Sequence, residues 1–79
     1  MTNGNSRELM VMAAKQTHDK YRQCTDEARD CIGNGETKQA RRWVAKANRF
    51  AQDISTFARE LRVTVGELVD EIKLSEVTL

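Results

Sequence analysis

From Ala40 to Leu61 (ARRWVAKANRFAQDISTFAREL) the apolar positions follow a helical period. Trp43, Phe50 and Phe57 recur every seventh residue, with Ala47, Ile54 and Leu61 between them. At about 100° per residue these six side chains fall within roughly 80° of arc on one α-helix. A second line of smaller residues, Ala40, Val44, Ala47, Ala51 and Ala58, runs beside them. The helix therefore carries a heavy ridge and a shallow one, and the rest of the chain is read by how it would cover them.

Upstream, Met10, Ala14, Thr17, Tyr21, Cys24, Ala28 and Cys31 alternate spacings of four and three, a heptad seam of mostly small residues. Ala13 and Ile32 widen it, and the pattern predicts a helix over 7–32. Gly33-Asn34-Gly35 then breaks the period, because glycine and asparagine tolerate the left-handed conformation that closes a helix. Glu36 opens a helix over 36–61, with its negative charge near the positive end. So short a connection makes the two helices antiparallel neighbours. Folding about it sets Ala28 near Ala40, Cys24 near Val44, Tyr21 near Ala47, Thr17 near Ala51 and Ala14 near Ile54. Small faces small, so the helices approach closely and the aromatic ridge is left at the edge of their contact.

Thr64-Val65-Gly66-Glu67 fits a capping box, with Val63 and Leu68 as its hydrophobic staple. A third helix follows over 65–73, with Val65, Leu68, Val69 and Ile72 on one face, expected to fold back over the ridge. Residues 1–5 are polar and expected to be disordered. The tail 75–79, with Val77 and Leu79, has no clear assignment. The expectation is one all-α domain over 1–79: an antiparallel hairpin plus a short third helix, assembling as a dimeric helical bundle.

At 79 residues, with 32% charged residues and no proline, the chain suits long solvated helices. It buries only about 60% of its unfolded surface, so association would add stability. The net charge of +1 is not the strongly basic balance of a typical DNA-binding domain. No apolar run approaches a membrane span and no signal pattern opens the chain, which reads as cytoplasmic. Cys24 and Cys31, about 10 Å apart along one helix, are too distant for a bond within it. They read as small buried residues in a reducing compartment. His18 is the single histidine, expected at the surface, with no partner set for a triad and no ligand set for zinc. Hence no enzyme, no cofactor, no metal and no small-molecule substrate are expected.

Two surfaces remain. Trp43, Phe50 and Phe57, with Lys46 and Val69, form the candidate partner-binding set, offered to another helix or to a second copy. Lys46 is placed for a cation–π contact with Trp43 or Phe50. Lys38, Arg42, Lys46 and Arg49 form a basic flank beside the ridge, the candidate anion-binding set, which turns acidic at Asp53 and Glu60.

Two resemblances bear on these surfaces. Phe57 to Ile72 resembles a helix-turn-helix: Ala58, Val63, Thr64 and Leu68 occupy its small, turn, cap and buried positions. Arg62 stands where glycine is usual, and Glu67, Asp70 and Glu71 would meet phosphates. Gly35-Glu36-Thr37-Lys38-Gln39 followed by Trp43 resembles the hairpin turn of small co-chaperones of bacterial type III secretion. Those are cytosolic hairpins that pair with a larger helical-repeat chaperone, and the capped third helix is an addition to their pattern. The favoured function is a non-enzymatic interaction module: an adaptor, inhibitor or chaperone-like regulator with a helical protein partner. The alternative is a small DNA-binding transcriptional regulator using the basic flank or the segment 57–72.

Overall fold

A computed structural model of the chain describes residues 3–77, and side-chain surroundings from residue 6. They form three helices, α1 (Asn3–Gly33), α2 (Thr37–Leu61) and α3 (Val65–Val77), with no strand among the described residues. The fold is all-α, as the periodicity predicts. Its first helix begins four residues before the expected start, so Asn3 to Asn5 lie in α1 rather than in a disordered lead. The third helix runs four residues past the expected end. Met1, Thr2, Thr78 and Leu79 lie outside the described residues.

Both turns close by the same backbone device. At the first, the Glu36 amide donates to the Cys31 carbonyl at 2.8 Å and the Gly35 amide to Ile32 at 3.1 Å. Gly35 sits between them at φ +78. At the second, Val63 donates to Ala58 at 3.0 Å and Arg62 to Arg59 at 3.1 Å. Here Arg62 takes the left-handed conformation, φ 60. Two crossed bonds around one left-handed residue satisfy the carbonyls that a helix end leaves bare. The second turn makes that geometry with an arginine, whose Cβ crowds the following carbonyl at a cost of roughly 1 kcal/mol.

The start of α3 is the expected capping box. The Glu67 amide donates to Thr64 Oγ1 at 3.1 Å, and the Thr64 amide donates to Glu67 Oε1 at 2.9 Å. The backbone amide of Thr64, and then its hydroxyl, hold the Glu67 carboxyl below the usual glutamate range.

Between α1 and α2 the seam is built from small side chains. Ala14, Cys24, Ala28, Cys31, Ala40, Ala47 and Ala58 are all buried. The expected register holds where it can be read: Ala14 and Ile54 share one core cluster, and Tyr21, Ala28 and Ala47 line one cleft. Thr17, polar within the seam, returns its hydroxyl to the Ala13 carbonyl at 3.1 Å and so leaves no bare donor. Two expected seam members are not covered. Ile32 is 67% exposed and Val44 46% exposed, on the side of the hairpin near the turn.

The core proper lies toward the other end, where α3 docks. Leu68 and Ile72 are fully buried against Ala14, Ile54 and Ala58, with Tyr21, Phe57, Leu61 and Val63 closing around them. Burying each of those two side chains contributes about 1.5–3 kcal/mol. A clamp 64 residues apart in sequence fixes the position: the Arg7 guanidinium donates both Nη1 (2.5 Å) and Nη2 (2.9 Å) to the Glu71 carboxylate. Lys15 bridges Asp19 at 3.6 Å and Glu76 at 3.8 Å.

Candidate interaction surface

The placement of α3 corrects the expectation that it folds back over the aromatic ridge. Taking about 100° per residue, Trp43, Phe50 and Phe57 occupy one edge of the buried stripe of α2 and Ala51 and Ser55 the opposite edge. The third helix lies along the second edge: Val65 and Val69 line a cleft with His18, Tyr21, Ala51, Ile54 and Ser55. Of the three aromatics, only Phe57 packs against the core cluster to which α3 contributes Leu68 and Ile72. Trp43 and Phe50 lie outside the core cluster, half-buried. Val69, expected among the ridge residues, stands half-buried on the opposite flank and does not join them. Along the far side of Phe57 runs a shallow cleft formed with Thr17, Asp53, Thr56 and Glu60.

Lys46 reaches over Trp43, with Nζ 4.7 Å from the ring centroid, the expected cation–π contact. Lys38, Arg42, Lys46 and Arg49 are all exposed, and no ion pair engages them among the described residues. They occupy the half of α2 near the Gly33–Gly35 turn, and Asp53 and Glu60 follow on the same flank. The flank thus changes sign along its length, and it borders the aromatic row throughout.

Sequence reasoning misplaced His18. It is 9% exposed, its ring stacked near Tyr21 with centroids 6.3 Å apart and planes at 25°. Its Nδ1 is buried without a hydrogen-bond partner among the described residues. The heptad seam passes through Thr17 and leaves His18 on a flank that would be solvated in a two-helix hairpin. The third helix covers that flank, and no local pattern around His18 announces it. The clamp residues Arg7 and Glu71 were missed for the same reason, being distant in sequence and ordinary in local context.

Cys24 and Cys31 are buried free thiols, as expected. Burial pushes the Cys31 thiol above its ordinary range, and the carboxylates of Glu36, Glu27 and Asp30 add to the effect. A thiol so held is a poor nucleophile. Among the described residues no three His, Cys, Asp or Glu side chains converge where a metal ion could sit. Nor is any helix among the described residues long and apolar enough to cross a membrane.

No known protein family model, curated protein or solved structure matches this chain. The two sequence resemblances gain no support from that quarter, and the geometry of the surface carries the functional argument.

Proposed function

We propose that this chain is a non-enzymatic protein–protein interaction module that offers the Trp43–Phe50–Phe57 row to a helix of another polypeptide. One observation carries the reading: the chain's own third helix takes the opposite flank, leaving a row of aromatics half-buried at the edge of a rigid hairpin. Aromatics in that state are typical binding anchors, because a partner completes their burial at little cost in side-chain entropy. A smooth helical edge with one bulky residue every two turns suits an amphipathic helix laid along it. The biological role that fits is a small cytoplasmic adaptor, inhibitor or chaperone-like regulator.

Nucleic-acid recognition is the weaker reading. The residues of α3 that a helix-turn-helix would present include Glu67 and Asp70, both exposed. Glu67 is also committed to the cap of its own helix. Carboxylates there repel phosphates instead of neutralising them.

The test places a photo-crosslinking amino acid at Phe50, and separately at exposed Gln23, in the chain expressed in cells. The interaction reading expects protein adducts of defined mass from position 50 and not from position 23. Equal yields from the two positions would count against it. So would retention of duplex DNA at physiological salt that disappears when Lys38, Arg42, Lys46 and Arg49 are changed to Glu.

A further inference from the structure

We infer that the aromatic face is covered by a second copy of this chain, antiparallel and two-fold symmetric about Phe50. The inference rests on the reading that this face is an interface, and adds the identity of what covers it.

Area is the first argument. The chain exposes 6150 Å². A folded monomer of this mass, 9.0 kDa, exposes about 4,900 Å². The radius of gyration, 14.7 Å, likewise exceeds the roughly 11.6 Å of a compact chain of this length. The surplus area is greater than the roughly 800 Å² that each partner contributes to a standard-size interface. That area is what remains exposed with the third helix already packed on the other flank.

Charge order is the second argument, and it specifies the partner. Trp43 and Phe57 stand seven residues on either side of Phe50. An antiparallel copy centred there sets Trp43 against the partner's Phe57, and Phe50 against the partner's Phe50. On the bordering flank, Lys46 comes four residues before Phe50 and Asp53 three after, while Arg42 comes eight before and Glu60 ten after. The same register therefore brings Lys46 toward the partner's Asp53 and Arg42 toward the partner's Glu60, and symmetry makes each pair twice. A parallel copy, related by a two-fold axis along the helices, would carry the two charged flanks to opposite sides of the contact and form neither pair. The flank changes sign across the centre of the aromatic row, which is what a self-complementary, isologous contact requires. Arg49 and Lys38 lie further round the helix, at the solvated rim of such a contact.

The experiment is a charge exchange followed by light scattering, with helicity checked by circular dichroism. Three chains are prepared: the wild type, the double variant R42E/K46E and the double variant D53K/E60K. All four positions are exposed, so the variants keep the fold. The wild type is expected to be a dimer at micromolar concentration. Each double variant gives the four facing positions 42, 46, 53 and 60 one sign, which should weaken self-association on the order of a hundredfold. Mixing the two variants in equal amounts should restore a two-chain species.

Three results would overturn the inference. A wild-type chain monomeric throughout would remove the second copy and leave the aromatic face to a different protein, with the interaction reading intact. Double variants that still dimerise, or that do not pair when mixed, would defeat the antiparallel register about Phe50. A folded Phe50→Asp chain that dimerises undiminished would defeat the interaction reading itself along with the inference.

Discussion

The two flanks of the α1–α2 hairpin differ in the bulk of their side chains and end differently. One presents His18, Ala51 and Ser55, small or flat side chains that leave a groove, and Leu68 and Ile72 of α3 fill the core beside it completely. The other presents Trp43, Phe50 and Phe57, larger side chains that stay half-buried. A helix docks where its knobs find holes, so the flank of small residues captures the third helix and the flank of large ones keeps its surface for something else. Hydrophobicity alone would have favoured the aromatic side. Shape decided the matter.

The largest expected effect breaks the first flank. Leu68→Ala or Ile72→Ala should cost about 2–5 kcal/mol, comparable with the whole stability of a domain this size. Urea melts followed by circular dichroism should show loss of the cooperative transition. A cost well below that range would mean α3 is an appendage and not half of the core.

Phe50→Asp addresses the other flank. The chain should keep its helicity, and the emission of Trp43, the only tryptophan, should shift to the red as its surroundings become wetter. If Phe50→Asp unfolds the chain as thoroughly as Leu68→Ala, the two flanks are equally core and the contrast fails.

Smaller effects test what holds α3 in place. Thr64→Ala removes the hydroxyl that accepts the Glu67 amide and should cost about 1 kcal/mol. Arg62→Gly should act in the opposite direction. It relieves the left-handed arginine at the second turn and should raise the midpoint of unfolding by the equivalent of up to about 1 kcal/mol. A loss of stability in Arg62→Gly would show that the arginine side chain makes a contribution greater than its backbone strain.

The mildest expectation is a pH dependence confined to the α3 side. Arg7 holds the Glu71 carboxyl below its ordinary range, chiefly through its hydrogen bonds, and Thr64 does the same for Glu67. At both carboxylates the folded chain binds a proton more weakly than the unfolded chain. Their contribution to stability is therefore full above the ordinary glutamate range and is lost as pH falls through that range and below it. Acid titration of thermal stability should show this limb, and Glu71→Gln should flatten it. Both members of the Arg7–Glu71 pair are more than a third exposed, so the effect should also shrink in high salt.

Much of the architecture was legible because its signals are local. The glycine pair around Asn34 stops α1, the Thr64–Glu67 box starts α3, and the seven-residue repeat of Trp43, Phe50 and Phe57 describes one edge of α2. The seam of small residues predicted close antiparallel packing with the aromatics left at its margin, and they lie there. The candidate surface was half legible: Trp43, Phe50, Phe57 and Lys46 stand together, and Val69 belongs elsewhere.

By itself, then, the amino-acid sequence determined that this is an all-α chain of two long helices and one short one, where α1 ends, where α2 begins and ends, where α3 begins, and which side chains share a face. These are consequences of backbone capping and of a period of about 3.6 residues, both set within a turn or two of the residue concerned. Only the tertiary structure decided on which flank α3 rests, and with that the burial of His18, the isolation of Val69 from the ridge and the Arg7–Glu71 clamp. Those outcomes depend on groove shapes made jointly by side chains from two helices and on a pair of charges 64 positions apart, and no local stretch of sequence contains either.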